Sequence, residues 1–390
     1  MPKTLFLIGT LPPPVTGQSV LFSILIRRLS QEQVAHRVIN LADNSTSRID
    51  GSFSWGRLIS LVSPFLQSLS LLVSKRTTVY ITIANSLVGF LKDLLFIVIA
   101  QVGSHRIILH CHGGDYGTFY SQSSSIVQWL IRKSIGSTDH LIILSEMFRR
   151  DFDFLQNSRV TISVVANCID TSIPYHANAT ETVDSTYTPK SHNKSTRSVR
   201  ILYLSNFIET KGYLVLLDAI NILVNQHRIL LSAHFCGDFV LAGSMISYLT
   251  AVEAEADFHS RIQRYGLADH VVFRGPVSGD EKHRELLEGD IFVLPTTYRN
   301  EAQPVAIIEA LAYGCTVIST PHRAIPEMLD YGKAGILVES SRPDLIANQI
   351  LKIQKKPALM LEYGHRARQQ YLRNFHPDIH WDNMGKVLDV

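Results

Sequence analysis

The sequence is sparing in the features that assign a class at sight. Four cysteines occur in 390 residues, Cys111, Cys168, Cys236 and Cys315, with no paired spacing. That pattern excludes a disulfide framework and points to a reducing compartment. No run reaches the roughly 20 uninterrupted apolar residues of a transmembrane helix. The nearest, Leu58 to Val73 and Leu87 to Val102, are broken by Pro64 and serines and by Lys92 and Asp93. The N-terminal run Thr4 to Ile8 is too short for a secretion signal. Net charge is only +3, and no aromatic-and-basic platform or zinc-finger spacing occurs, so nucleic acid is not an expected partner. The Gly-x-Gly-x-x-Gly fingerprint is missing, which argues against a nicotinamide enzyme. The Gly-x-Ser-x-Gly elbow is missing as well, which sets aside Ser-His-Asp nucleophilic chemistry.

What is present describes a globular protein, 46% hydrophobic and 18% charged. Its length fits two domains rather than one core. Buried-type strands are expected at Thr4–Ile8, Ala35–Leu41, Thr78–Ile83, Arg106–His110, His140–Leu144 and Val160–Val165. A second set follows at Ile201–Ser205, Leu230–Phe235, Val271–Phe273, Ile291–Leu294, Thr316–Ser319 and Gly335–Val338. Helical patterns alternate with them, so the fold class is α/β, two doubly wound parallel sheets of Rossmann-like type. The expected division is a first domain over 1–170, a linker over 171–198, a second domain over 199–360 and a helical tail over 361–390, which could pack back toward the first domain. The linker is rich in Thr, Ser, Asn, His and Pro. Pro357 to Val390 reads as two helical pieces broken near Pro377, with Arg366, Arg368, Arg373 and Trp381 suggesting an amphipathic end.

The most informative stretch is Glu301-Ala-Gln-Pro-Val-Ala-Ile-Ile-Glu309. It follows the strand Ile291–Leu294 and opens a helix, with Pro304 suited to the first helical position. Glu301 then precedes the helix, Glu309 lies on its second turn, and the amides of Val305, Ala306 and Ile307 form an anion site. A diphosphate fits there between two carboxylates that take hydroxyls. Two acidic residues near a helix start are also common for dipole reasons alone. Ser205-Asn206-Phe-Ile-Glu-Thr-Lys211-Gly212 leaves the first strand of the second domain, where Lys211 offers a fixed cation to developing charge. In the first domain, Gly17, Gln18 and Ser19 open the helix Val20–Leu29 and allow close approach of a ligand. His110-Cys-His112-Gly-Gly ends another strand, with both histidines on one face. No second ligand cluster accompanies them, so no metal site is expected. His112 is the one expected to reach toward a ligand, and His110 to be a satisfied wall residue.

Together these residues resemble the retaining GT-B glycosyltransferases of family 4. The resemblance rests on Lys211-Gly212, the Glu301-x7-Glu309 pair, the segment Ala310 to Thr320 with Ile325-Pro-Glu327, and Val272-Phe-Arg-Gly-Pro-Val277. It is strong from Ile201 to Val338 and looser before. One departure is Asn206, where the family usually has arginine; Arg299 is a candidate for compensation. The resemblance implies two domains facing across a cleft and a hexosyltransferase acting with retention, with no cofactor apart from a UDP- or GDP-sugar donor. It implies that Glu309 holds the ribose, Glu301 the transferred sugar, and Lys211 with Asn206 and the helix-start amides the diphosphate. Gly17 would close over the donor, Val277 would face the base, and His112 would contact the sugar.

The implied acceptor is a carbohydrate or a lipid-linked glycan, as in surface polysaccharide synthesis. The implied location is cytoplasmic, with the inner membrane face open. Residues 1–170 carry 15 Lys/Arg against 10 Asp/Glu beside the two apolar segments. A peripheral membrane contact through this half would suit that balance, as would scattered surface cations. Two other readings stay open: a nucleotide-sugar epimerase of the same fold, and a degenerate binding partner. Donor and acceptor choice would fall to loops such as Phe239–Asp257 and Asp43–Gly56.

Overall fold

The structure, a computed structural model, describes residues 4–13, 16–42, 60–169, 198–242 and 247–390. The expected linker lies outside them except for Ser198, as do the loop Asp43–Gly56 and part of Phe239–Asp257. Two compact units form, Met1–Asp170 with Pro377–Val390, and Thr171–His376.

All twelve expected strands are present. In the first unit they are β1 (Leu5–Gly9), β2 (His36–Asn40), β3 (Thr78–Ile83), β4 (Arg106–Cys111), β5 (His140–Ile143) and β6 (Thr161–Val164). They pair in the order β2-β1-β3-β4-β5-β6, every pair parallel. In the second unit β7 (Val199–Leu204), β8 (Leu231–Cys236), β9 (Val271–Gly275), β10 (Ile291–Leu294), β11 (Thr316–Ser319) and β12 (Ile336–Leu337) pair as β12-β11-β10-β7-β8-β9, again all parallel. Parallel strands are covered on both faces, which is why they read as continuous apolar runs: β1, β3, β10 and β11 are buried at every residue.

The division at residue 360 does not hold. Pro357–Asn374 is one continuous helix packed on the helix Val305–Ala312 and on β11, so the second unit runs on to His376. Arg368 on this helix is buried and donates to the Ala312 carbonyl at 2.6 Å, rather than lining a charged face. The separate helix Pro377–Leu388 belongs to the first unit. Its Met384, Val387 and Leu388 join a core with Leu5, Leu7 and Phe22, and Arg106 donates to the Val387 carbonyl at 2.8 Å.

Candidate functional site

In open parallel sheets, ligands bind beyond the carboxyl ends of the strands where the winding order reverses. In the second unit that point lies between β7 and β10, which are neighbours in the sheet although far apart in sequence. Two loops therefore meet there, 205–212 after β7 and 295–304 after β10.

The first loop is fixed by an aromatic anchor. Phe207 is buried, stacks on Phe239 at 4.6 Å and meets the Tyr213 ring edge-on at 5.2 Å. Its N–H donates to the Asp238 carbonyl at 2.7 Å. At the far end Gly212 has φ 80°, and a Cβ there would fall 2.5 Å from the Pro295 carbonyl oxygen. Only glycine lets this loop touch the end of β10. The Thr297 N–H then donates to the Thr210 carbonyl at 2.7 Å, which ties the loops together.

This scaffold brings Lys211 to Glu301. The Nζ lies 3.2 Å from Glu301 Oε2 and 3.2 Å from Ser205 Oγ, and 5.4 Å from the centre of the Tyr298 ring. Glu301 is only 8% exposed. Its contact with Lys211 is an ion pair lacking hydrogen-bond alignment, so Oε2 has no hydrogen-bond partner among the described residues. A buried charged oxygen held this way keeps capacity for a hydroxyl donor.

Three residues on, the helix start differs from expectation. Pro304 is the cap and not the first helical residue: its ψ of 115° is extended, and the helix runs Val305–Ala312. The Pro304 carbonyl accepts the Ile307 N–H at 3.1 Å. Ile307 is thus not a free first-turn donor, whereas Val305 and Ala306 donate to no described backbone carbonyl. Glu309 does project from the second turn and is buried, but it has company. Lys282, on the helix Gly279–Glu288, places Nζ 2.6 Å from Glu309 Oε1. Sequence reasoning missed Lys282, because a lysine on an exposed helix carries no signal of a carboxylate 27 positions away. The site thus holds two acid–lysine pairs, Lys211 with Glu301 and Lys282 with Glu309.

Of the remaining expected residues in this unit, Asn206 is half-buried and its carbonyl accepts the Ile208 N–H at 2.9 Å. Val277 is half-buried in the loop between β9 and the helix bearing Lys282. Arg299 is exposed, and its carbonyl receives a hydrogen bond from Arg323.

A Lys282→Met substitution tests the second pair. It leaves a buried carboxylate oxygen without its charged donor, and a hydrogen bond to a charged group contributes about 1.5–3 kcal/mol. Urea unfolding should show a loss near the lower end, about 1–2 kcal/mol, because the lysine is partly exposed. No change in the midpoint would mean the pair contributes nothing.

In the first unit, Gly17 is the exposed first residue of the helix Gly17–Gln31, which begins earlier than expected. Thr16 caps it: Thr16 Oγ1 accepts the Ser19 N–H at 3.2 Å, and Ser19 Oγ accepts the Thr16 N–H at 2.9 Å. Ser19 is consumed by this box and does not serve as a ligand donor, leaving Gly17 and Gln18. His110 and His112 do share a face, with ring centres 3.9 Å apart. His110 Nδ1 is 2.6 Å from the Tyr80 hydroxyl, but its Nε2 has no hydrogen-bond partner among the described residues, so the expected wall residue is only half satisfied. Neither ring nitrogen of His112 has a hydrogen-bond partner among the described residues. Burial first, and then His380, push the His112 imidazole down to about 3, so it is neutral near pH 7 and offers one donor and one acceptor.

The likeness to known proteins agrees with this geometry. Residues 184–370 match the family model of the glycosyl transferases group 1. The amylovoran biosynthesis glycosyltransferase AmsK of Erwinia amylovora is 27% identical over 195 residues, 49% of this chain and 44% of AmsK. The N-acetyl-alpha-D-glucosaminyl L-malate synthase of Bacillus anthracis is 23% identical over 270 residues, 69% of this chain and 64% of that one. The chain thus spans less than two thirds of the length of either relative. Among solved structures, Anabaena Alr3699/HepE in complex with UDP aligns over 100% of both chains with a TM-score of 0.69 and 14% identity. The fold is that of the GT-B glycosyltransferase structures, two α/β units each with six parallel strands.

Proposed function

We propose that the chain transfers a hexosyl group from a UDP- or GDP-sugar to a carbohydrate or lipid-linked glycan acceptor, with retention of anomeric configuration, in surface polysaccharide or glycoconjugate synthesis. The observation that carries this reading is the Lys211–Glu301 pair at the switch point of the second unit, with Glu309 on the helix that follows. AmsK, an amylovoran biosynthesis glycosyltransferase, and HepE, crystallised with UDP and with UDP-glucose, support it.

In this reading Glu309 accepts hydroxyls of the ribose, exchanging part of its contact with Lys282. Glu301 accepts hydroxyls of the transferred sugar. Lys211 and the amides of Val305 and Ala306 take the diphosphate, beside Asn206 where a second cation is absent. Val277 presents backbone groups to the base. Within the first unit, Gly17 and neutral His112 are the ligand-facing groups of this reading, the first suited to a diphosphate and the second to a sugar. As the C1–O bond to the diphosphate breaks, the acceptor hydroxyl bonds C1 on the same face and its proton passes to the departing phosphate oxygen. Charge builds on that oxygen, so Lys211 acts where stabilisation counts most. No side chain need act as a nucleophile, unlike the carboxylate of retaining glycosidases. Acceptors of this kind suit a cytoplasmic protein working at the inner membrane face.

Thermal shift with UDP-, GDP- and ADP-sugars tests the donor. A ligand at a hundred times its dissociation constant adds about 2.7 kcal/mol, roughly 5 °C or more for units of this size. One nucleotide class should give that shift, and no shift with any would overturn the reading. Donor incubated alone should stay unisomerised; an epimerised sugar would favour the epimerase.

A further inference from the structure

The helix Leu87–Val102 is apolar on two faces, with Lys92, Asp93 and Gln101 its only polar side chains, yet only one of those faces is buried. Phe90, Phe96, Ile97 and Ala100 pack inward. On the other side Leu87, Leu91, Leu95, Val98 and Val102 stand exposed, from 43% at Leu95 to 71% at Val102. At roughly 100° per residue these five fall within an arc of about 80°, one stripe along the helix. A helix apolar on both faces normally lies in a core. Here no described residue covers the outer one.

The stripe continues onto both neighbours. The helix Val62–Ser68 and the turn after it expose Val62, Leu66 and Val73, the last at 89%. The helix Ser125–Gly136 exposes Ile126 and Trp129. These elements are tied into one face: His105 Nε2 lies 2.8 Å from the Leu71 carbonyl oxygen, and Gln101 Nε2 donates to Ser137 Oγ at 2.7 Å. Isolated surface leucines need no explanation, but a contiguous apolar face of this extent marks an interaction site.

The charges around it are of one sign. Lys75, Arg76, Arg132 and Lys133 are exposed at its margins. Between residues 60 and 138 the sequence has only two carboxylates, Asp93 and Asp115, and both are buried. Lys133 shares a helix face with Ile126 and Trp129, so apolar and basic groups point the same way. We infer that this face of the first unit docks on an anionic lipid leaflet, the apolar stripe entering the headgroup–acyl boundary and the four cations meeting lipid phosphates. The inference rests on the membrane-side placement proposed above and names the surface and the lipid chemistry. The body of the unit here stands in for the polar face of an interfacial helix. No helix among the described residues is long and apolar enough to cross a membrane, so the segment lies on the surface. A second copy of the chain is a poor occupant, because a two-fold contact would oppose like-charged margins. Trp129, apolar with one polar N–H, suits a boundary layer.

The test is co-sedimentation of the full chain with vesicles of phosphatidylcholine alone or mixed about 3:1 with phosphatidylglycerol, at low and high salt. The wild type should bind the anionic vesicles, and binding should fall severalfold at high salt as the cations are screened. The double variant Leu91→Ser, Leu95→Ser should lose about tenfold or more of the binding, and Arg132→Glu with Lys133→Glu a similar amount. Both pairs are surface positions; each variant's melting temperature without ligand checks that it folds, and its shift with whichever nucleotide sugar stabilises the wild type checks that it keeps a donor site. Equal binding by wild type and variants would overturn the inference while leaving the transferase reading intact. So would a wild-type dimer in solution that the leucine double variant dissolves, since the face would then be a self-interface. If donor shifts fail but anionic vesicles are still bound through these residues, the transferase reading falls and this one stands.

Discussion

Glu301→Gln is expected to lower the turnover number about a hundredfold or more while nucleotide affinity stays within about twofold. The substitution keeps the side chain's shape and removes the charge that sits 3.2 Å from Lys211 Nζ. In a buried site such a charge acts on the developing transition state far more than it would in water, and losing one preorganised group there costs about 10²–10³ in rate. Lys211→Met should cost at least as much, since it strips the cation from the departing diphosphate, and it should also weaken nucleotide binding. Each single change also carries a stability cost, because it leaves a largely buried charge uncompensated: the Glu301 carboxylate in Lys211→Met, the Lys211 ammonium in Glu301→Gln. Combining the two should therefore recover stability relative to Lys211→Met without recovering rate. Residues that act as one unit are not additive, so the double variant should be scarcely slower than the worse single one. Turnover by Glu301→Gln within about threefold of wild type would remove this carboxylate from the chemistry.

The pair was legible because of where it falls. Strand runs such as Thr78–Ile83, Ile291–Leu294 and Thr316–Ser319 can be read to the residue, because in a parallel sheet both faces are covered and polar residues begin where the strand stops. Once the strands are placed, the loops after β7 and β10 are known to be the ligand-facing ones, and Lys211 and Glu301 are the charged groups in them that the family pattern marks. What escaped were features that depend on contacts distant in sequence. Lys282 reaches Glu309 only because two helices lie side by side. Phe207 anchors its loop through Phe239, Tyr213 and Phe258, and nothing in the local sequence separates it from any other core aromatic. The early start of the helix Gly17–Gln31 comes from a capping box closed by Ser19, where a glutamate is the usual sign. From composition alone the run Leu87–Val102 leaves packing on the sheet and leaning on a bilayer both open, and only the fold shows which of its residues face outward.

Acidification should destabilise the first unit through its histidines. His110, His112 and His380 are each shifted below the usual imidazole value, burial being the first cause in every case. In the unfolded chain they titrate near about 6.5. Above that value both states are neutral and the groups have no effect. Below it the unfolded chain takes up protons that the folded one refuses, and for His112 the refusal lasts down to about 3. The stability present above about pH 6.5 is therefore lost as pH falls toward the folded values, at about 1.4 kcal/mol per pH unit for His112, whose folded value is about 3. For His112 this amounts to about 2 kcal/mol by about pH 5, less some allowance for its partly exposed edge. His110 and His380 add to the loss in the same direction. Asp93 works the other way: burial raises its carboxyl, so acid relieves a cost there and offsets part of the loss. Urea midpoints followed by tryptophan fluorescence from about pH 7.5 to 5 should fall steadily below about pH 6.5. His112→Gln, which removes one titrating ring beside His110, should flatten that slope by up to about 1.4 kcal/mol per unit. A wild-type slope that is flat between about pH 6.5 and 5, or unchanged in His112→Gln, would show that these imidazoles are protonated in the folded unit. His112 would then present a cation rather than a neutral ring to whatever sugar it meets.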